Sequence, residues 1–206
     1  MHAAHWKTRL STSLVLGALM AAGLAAAPPA AKPAAPATPA TPAAKPQSKA
    51  AAALAQLRSL AGSWDVQAEI SKEKVENKDN HPVNYRVIAA DSAVVETLLP
   101  GTPMEMETIF HLDGERLICT HYCAAGNQPR MVATTITPQV LEFTFLDATN
   151  MSSPQAMHMG KLHMEFKDKD HLINTWTSYE NGKETDHAVF TLTRRPAPAP
   201  APQPSK

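Results

Sequence analysis

Several patterns that mark common enzyme sites are missing from this sequence. It contains no Gly-x-Ser-x-Gly nucleophile turn, no glycine-rich phosphate loop and no His-Glu-x-x-His metal motif. Cys123 and His121 are two residues apart, and on a strand their side chains would lie about 6–7 Å apart, beyond hydrogen-bond reach. The sequence therefore does not favour an enzyme, and it predicts no catalytic residues.

A long apolar run is also missing. The apolar stretch from Leu14 to Leu24 is shorter than the roughly 20 residues of a membrane-spanning helix. It follows Lys7 and Arg9 and precedes small residues, which is typical of a secretory signal. No cysteine comes directly after it, so a lipid-anchored lipoprotein is not indicated. We expect a signal peptide at 1–27, a periplasmic or secreted location and no stable membrane span after cleavage, with an uncleaved anchor as the alternative.

Proline is concentrated outside the central part of the chain. Seven of the 18 prolines lie between Pro28 and Pro46, among alanine, threonine and lysine. Such a segment cannot bury enough apolar surface to offset its ordering entropy. The sequence predicts a disordered Ala/Pro-rich linker at 28–47, one folded domain at 48–195 and a disordered Pro-rich tail at 196–206.

Positive charge is scarce in the predicted domain. All 19 acidic residues lie between Asp65 and Asp186, whereas only 11 lysines and arginines lie between Gly62 and Arg194. Nucleic acids require clustered basic side chains. The excess of eight negative charges therefore argues against a nucleic-acid partner.

The hydrophobic periodicity predicts one short helix followed by strands. Residues 48–60 combine a Ser N-cap with leucines spaced along one helical face and end before Gly62. After Gly62 the apolar residues alternate with polar ones, a period of two. Ten strands are predicted in this way: Trp64–Ile70, Val83–Ala89, Ala93–Leu99, Met104–Leu112, Arg116–Tyr122, Arg130–Thr137, Val140–Leu146, Lys161–Phe166, His171–Tyr179 and Thr185–Arg194.

Short turns join most of these strands. Asp113-Gly114 and Asn181-Gly182 supply the positive φ angles of two-residue hairpins, and only the segments 123–129 and 150–160 are longer than a hairpin needs. A meander of about ten strands without covering helices protects its edges by closing. We therefore predict an all-β protein, an antiparallel up-and-down barrel with an N-terminal helix. Its predicted inward residues are Trp64, Val66, Phe110, Leu112, Phe143, Phe145, Phe190 and Leu192.

The segment Leu60-Ala61-Gly62-Ser63-Trp64, the ten-strand meander and Arg194 in the last strand carry a resemblance to a known family. Together they resemble the lipocalin-like barrels of the calycin type, and more loosely the haem-binding nitrobindin-like barrels. The stretch from Thr120 to Met131 is similar to uncharacterised secreted proteins of this barrel type. The resemblance implies a barrel and, in the nitrobindin case, a histidine that binds haem iron, although no one histidine of this domain matches that position.

Polar and reactive side chains are densest between Cys119 and Arg130. On a strand, Leu117, Cys119, His121 and Cys123 share one face. Amide and guanidinium groups in the following turn are suited to hold a carboxylate or another polar group. We predict ligand-binding residues at one barrel mouth: His121, Tyr122, Cys123, Asn127, Gln128 and Arg130. The alternative is that Asn127 and Gln128 bond the loop backbone and that Arg130 pairs with an acid.

The two cysteines and the methionine-rich segment leave other chemistry open. Cys119 and Cys123 would be about 13 Å apart on an extended strand, whereas a disulfide needs about 4.4–6.8 Å between Cα atoms. Two thiols are therefore favoured over a bridge.

Soft metal ligands are present in two places. One is the Cys-x-His-x-Cys pattern, and the other is a segment with Met151, Met157, Met159 and Met164 beside His158 and His163. Histidines on strands are more often structural, so no metal residue is predicted and the cofactor is unknown.

These patterns define a function only by class. A barrel with one polar cluster predicts an exported, non-enzymatic binding protein for a small, largely apolar molecule with a polar or anionic end. A metal- or haem-binding barrel is the first alternative. An envelope structural or interaction domain without a ligand is the second. The identity of the small-molecule ligand and the oligomeric state are not encoded in any motif.

Overall fold

A computed structural model describes residues 48–196. The predicted signal peptide and linker, and all but the first residue of the predicted tail, lie outside the described residues. The chain begins with helix α1 (Lys49–Arg58), whose N-cap Ser48 accepts a hydrogen bond from the backbone N–H of Ala51 at 3.1 Å. This bond satisfies one of the free N–H groups of the first turn. The predicted helix is confirmed.

Within the described residues, eleven strands follow the helix. They are β1 (Gly62–Ile70), β2 (Glu73–Val75), β3 (Val83–Ile88), β4 (Ala93–Leu98), β5 (Met106–Asp113), β6 (Arg116–Tyr122), β7 (Gln128–Ile136), β8 (Val140–Thr149), β9 (His158–Phe166), β10 (His171–Glu180) and β11 (Lys183–Arg194). From β3 to β11 each strand pairs antiparallel with the next. The meander follows from the short polar turns, since antiparallel neighbours need only a hairpin between them.

The sheet closes because the first and last long strands pair with each other. β1 and β11 run antiparallel from Trp64 opposite Arg194 to Ile70 opposite Ala188. On its other side β1 pairs first with β3 and then, at its far end, with the short β2. The predicted antiparallel barrel of ten strands is therefore confirmed, and β2 is a small addition at one rim.

The Asn181-Gly182 turn shows why the hairpins form. Both residues have positive φ, 54° and 70°, and they join β10 to β11 as a two-residue connection. Positive φ at both central positions gives a turn whose twist matches that of the flanking strands. Glycine adopts this conformation without steric cost, and asparagine tolerates it better than most residues.

Helix α1 covers one end of the barrel. Its buried residues include Leu54 and Leu57, and Leu60 just after the helix is also buried. Arg58 bonds the carbonyl of Asp91 between β3 and β4, and Gln56 bonds that of Pro138 between β7 and β8. The helix therefore packs against the turns at this end, and its leucines fill the space between them.

Most of the predicted inward residues face the core. Trp64, Phe110, Phe143 and Leu192 are fully buried. Three more, Val66, Leu112 and Phe190, are partly buried and pack against this cluster.

Phe145 was predicted to be inward and is instead 40% exposed. On one side Phe145 still pairs with the buried Met131 of β7, so the alternation holds as far as this residue. On the other side the pairing of β8 with β9 ends at Thr144, so no strand covers Phe145 there. The Phe145 ring lies against His158 instead, with the ring centres 4.4 Å apart.

Both predicted long loops are shorter than expected. β7 begins at Gln128, β8 continues to Thr149 and β9 begins at His158, so the loops comprise only 123–127 and 150–157. Pairing of Gln128 with Thr149 extends the hairpin.

None of the helical segments in 48–196 combines the length and apolarity needed to cross a membrane.

Candidate functional site

The predicted site residues on β6 separate to opposite sides of the sheet. His121 is 2% exposed and faces the barrel interior, as Leu117 and Cys119 do, whereas Tyr122 is 49% exposed. Cys123 is half-buried directly after β6. The alternation predicted for this strand is confirmed, and of these three residues only His121 lines the interior.

Asn127 and Gln128 bond to neighbouring loop segments. Asn127 is buried, and its Nδ2 donates to the carbonyl oxygen of Met157 at 2.7 Å. Gln128 donates from Nε2 to the Gly126 carbonyl at 3.0 Å and accepts from the Thr149 hydroxyl at 2.8 Å. These bonds hold the two loops at this rim together. They match the alternative in which both amides bond local groups, and a ligand role for them stays a prediction.

Arg130 lies on the exposed surface and forms an ion pair with Asp147. Its Nε donates to Asp147 Oδ1 at 2.6 Å, and its Nη2 donates to Oδ2. The hydrogen bonds from Arg130 lower the pKa of the Asp147 carboxyl. The guanidinium is therefore occupied outside the barrel, and the structure does not bring it together with His121.

A cavity of about 160 Å³ lies inside the barrel at the end away from helix α1. We call it the barrel cavity. Ile70, Leu98 and Met106 contribute to its wall from the ends of β1, β4 and β5 that lie away from α1. Deeper in the cavity the wall is formed by Leu98, Met106, His121, Met159, Trp176 and Phe190, and near the rim it is completed by Ser178, Asp186, His187 and Ala188. This wall is mainly apolar with a few polar groups, which is typical of a small-molecule site.

A second space of about 310 Å³ adjoins the barrel cavity. Leu98, Met106 and Phe190 line both spaces. The second space extends between β1 and the segment 76–81, where β2 leaves the sheet. The two spaces thus meet at one mouth of the barrel, opposite the end covered by the helix.

A row of polar side chains crosses the interior below the barrel cavity. Tyr85, Glu96, Thr108 and His121 are successive cross-strand partners on β3, β4, β5 and β6. All four are buried, Glu96 and Thr108 completely. Cross-strand partners have their Cβ atoms about 4.5–5.5 Å apart, so the register alone places these groups in contact distance.

Hydrogen bonds join one end of this row to the opposite wall. The Tyr85 hydroxyl donates to Glu96 Oε1 at 2.5 Å. From β10, Asn174 Nδ2 donates to the same Oε1 at 2.8 Å and to the Tyr85 hydroxyl oxygen at 2.9 Å. Glu96 Oε2 and Asn174 Oδ1 are buried and have no hydrogen-bond partner among the described residues. The carboxylate is therefore held firmly by one oxygen and left unpaired at the other.

Burial changes the acidity of these groups. It raises the pKa of Glu96 from 4.5 to about 6, and hydrogen bonds from Tyr85 and Asn174 oppose part of this increase. Burial lowers the pKa of His121 from 6.5 to about 4. Both shifts have the same cause, since a low-dielectric surrounding disfavours the charged form of either group. Near pH 7 the imidazole is neutral and Glu96 is mostly ionised.

His121 connects the polar row to the barrel cavity. Its Nδ1 shares a hydrogen bond with the Thr108 hydroxyl at 2.9 Å, and its ring lies 4.5 Å from the centre of the Trp176 ring. No described residue bonds its Nε2. Trp176 Nε1 is likewise buried without a partner. The wall therefore contains an imidazole and an indole ring beside an apolar space, and each ring has one nitrogen that no described residue bonds.

Sequence reasoning missed Glu96, Tyr85 and Asn174. The sequence does contain a pattern that indicates them, because each of the three occupies an inward strand position between apolar residues of the same face. Glu96 lies between Val94 and Leu98, and Asn174 lies between Leu172 and Trp176. A polar residue at a core position needs a partner, so such positions indicate an interior network even when the partner strand is unknown.

The cysteines are both free. Cys119 is buried, and burial raises the pKa of its thiol, whereas Cys123 is half-buried. The prediction of two thiols, with Cys119 as buried packing, is confirmed. Within residues 48–196 no group of three or more His, Cys, Asp and Glu side chains is arranged to hold a metal ion.

Comparison with known proteins adds no family to this description. No family model matches the chain, and no curated protein is significantly similar to it. The closed antiparallel barrel of ten strands, with a helix before the first strand, is compatible with a lipocalin-like barrel.

Proposed function

We propose that this chain is an exported, non-enzymatic binding protein of lipocalin-like type, which holds a small and largely apolar molecule with one polar end. The observation that carries the proposal is the barrel cavity. It opens beside the rim at one end of a barrel whose other end is covered by α1. Its wall combines Met106, Met159, Trp176 and Phe190 with few polar groups.

The polar end of the ligand has defined partners in this proposal. No residue of the described part of the chain bonds His121 Nε2, and the ring is held by the hydrogen bond to Thr108 and the contact with Trp176. The ring of Trp176 lies beside it in the same wall. Preorganised polar groups in an apolar wall orient a ligand with little entropic cost.

Two measurements test binding. Native mass spectrometry of protein purified from its own host is expected to show an additional bound mass. In addition, the uncharged fluorophore N-phenyl-1-naphthylamine is expected to gain fluorescence when it enters the barrel cavity of ligand-free protein.

A matched pair of variants locates the bound probe. Ala188 lines the barrel cavity, whereas its neighbour Val189 does not. Ala188→Phe is expected to weaken binding of the probe at least about tenfold, the effect of losing roughly 1.4 kcal/mol, whereas Val189→Phe leaves it unchanged. Equal affinity in both variants, or no binding by the unaltered protein, would refute the proposal.

A further inference from the structure

The buried carboxylate of Glu96 has no positively charged partner among residues 48–196. It is completely buried, and its hydrogen bonds come from the uncharged groups of Tyr85 and Asn174. None of the buried residues described is a lysine or an arginine. An unpaired buried charge is costly to the fold. A positive charge supplied from the barrel cavity would reduce that cost.

Glu96 lies directly below the floor of the barrel cavity. Leu98 lines the cavity and is two residues further along β4, which places Glu96 one inward position, roughly 7 Å, deeper. In the same way Asn174 lies one inward position below Trp176 on β10. A group at the cavity floor is therefore close to the carboxylate, with protein rather than water between them.

The walls of the two spaces hold more acids than lysines and arginines. Asp186 lines the barrel cavity, and Glu76 and Asp79 line the second space. Among the described residues that line either space, the only lysine or arginine is Lys78, and it pairs with Glu76 at 3.3 Å. Arg130, one of the residues predicted to hold a polar or anionic ligand end, is exposed and paired with Asp147. Two imidazoles at the rims of these spaces also lie beside acids: His187 Nε2 is 2.9 Å from Glu184 Oε1, and His81 Nε2 is 3.9 Å from Asp79 Oδ2. Among the described residues, each basic side chain at these rims therefore already has an acidic neighbour.

We propose that the ligand is an amphipathic organic cation, with a protonated amine and an apolar body. The amine enters first and lies beside Trp176, above Glu96, while the apolar body extends along Met106, Met159 and Phe190 to the mouth. The face of an indole ring attracts a cation, and the field of Glu96 acts over a short path of low dielectric. This inference rests on the proposed binding function.

A matched ligand series tests the charge preference. Decylammonium, decanol and decanoate differ only in the head group, and their affinities for the unaltered full chain are measured by calorimetry at pH 7.5. We expect decylammonium to bind at least tenfold more tightly than decanoate, with decanol between them. Decanoate binding as tightly as decylammonium would overturn the inference.

Three variants assign the preference to particular acids. Glu96→Gln is expected to reduce the ratio of decylammonium to decanoate affinity several-fold. Asp186→Asn gives a smaller reduction and keeps the test valid where Glu96→Gln fails to fold. Glu165→Gln removes an acid that pairs with Lys167 on the surface, and it should leave the ratio unchanged. A ratio that is equally altered by Glu165→Gln would show that only general surface charge is at work.

The outcomes for binding and for charge preference are separable. If decanol binds but the three affinities are equal or favour decanoate, the barrel binds apolar molecules and the cation inference alone fails. If none of the three binds and the uncharged fluorophore also fails to bind, the proposed function fails together with it.

Discussion

The guanidinium carbon of Arg194 lies 4.2 Å from the centre of the Trp64 indole ring. These residues are cross-strand partners in the pair of strands that closes the barrel. Arg194 also donates to the carbonyl oxygens of Ser59 and Ala61, just after the helix, at 2.9 and 3.1 Å, and Trp64 Nε1 donates to Leu60 O at 2.9 Å. The two side chains thus join the end of the helix to the seam of the barrel.

Arg194→Lys is expected to lower the free energy of unfolding by about 2 kcal/mol, because an ammonium cannot fork between several carbonyls and stack flat on the indole. Urea denaturation measures the change. Arg116→Lys is the control, since Arg116 forms an exposed pair with Asp113 that should contribute less than about 1 kcal/mol. Equal losses in the two variants would contradict a special role for Arg194.

Much of the fold is predictable because strand alternation and turn chemistry are local. The helix, the ten long strands and the hairpin at Asn181-Gly182 all follow from patterns within a few residues. The predictions fail where the burial of a residue depends on whether a neighbouring strand pairs beside it. Phe145 obeys the alternation in sequence, yet it leaves the core because β8 stops pairing with β9 at Thr144.

The candidate site was less predictable for the same reason. The strand face of His121 predicts an interior position, and His121 does line the barrel cavity. A guanidinium suits a polar ligand, but Arg130 instead pairs at the surface with Asp147, which lies 17 positions further along the chain. Asn174 bonds Tyr85 across 89 positions of the chain, and no local pattern contains that pairing.

The two thiols are expected to react at very different rates. Cys123 is half-buried after β6, whereas Cys119 is completely buried. With a thiol reagent, about one equivalent should react rapidly in the native protein, and the second should react only as the barrel unfolds. Cys123→Ser should abolish the rapid reaction, and Cys119→Ser should leave it intact. Simultaneous reaction of both native thiols would contradict the burial of Cys119.

Gly160 allows Tyr179 to lie flat against the sheet. A Cβ atom at position 160 would overlap the Tyr179 ring, so Gly160→Ala should lower the free energy of unfolding by roughly 1–3 kcal/mol through overpacking. In a Tyr179→Ser background the same substitution should cost much less. A coupling energy below about 0.5 kcal/mol in this double-mutant cycle would show that the ring moves aside freely.

Glu96 and His121 make the stability of the fold depend on pH in opposite directions. The folded chain holds the Glu96 proton to higher pH than the unfolded chain, so this group loses about 2 kcal/mol of stabilisation as pH rises from 4.5 to about 6. The folded chain binds a proton on His121 less readily, so this group loses about 3 kcal/mol as pH falls from 6.5 to about 4. The two contributions largely cancel between pH 4.5 and 6.

Single variants separate the two contributions. Relative to the unaltered protein, Glu96→Gln should gain about 2 kcal/mol of stability between pH 4 and pH 7, because it lacks the group whose ionisation is unfavourable. His121→Gln should show the reverse, a relative gain of about 3 kcal/mol as pH falls from 7 to 4. Tyr85 and Cys119 beside Glu96 have pKa values raised by burial and stay neutral throughout, so they do not obscure the comparison. Urea denaturation at both pH values measures the difference in the free energy of unfolding between each variant and the unaltered protein. If that difference does not change with pH for one of the variants, the corresponding side chain titrates as it does in water.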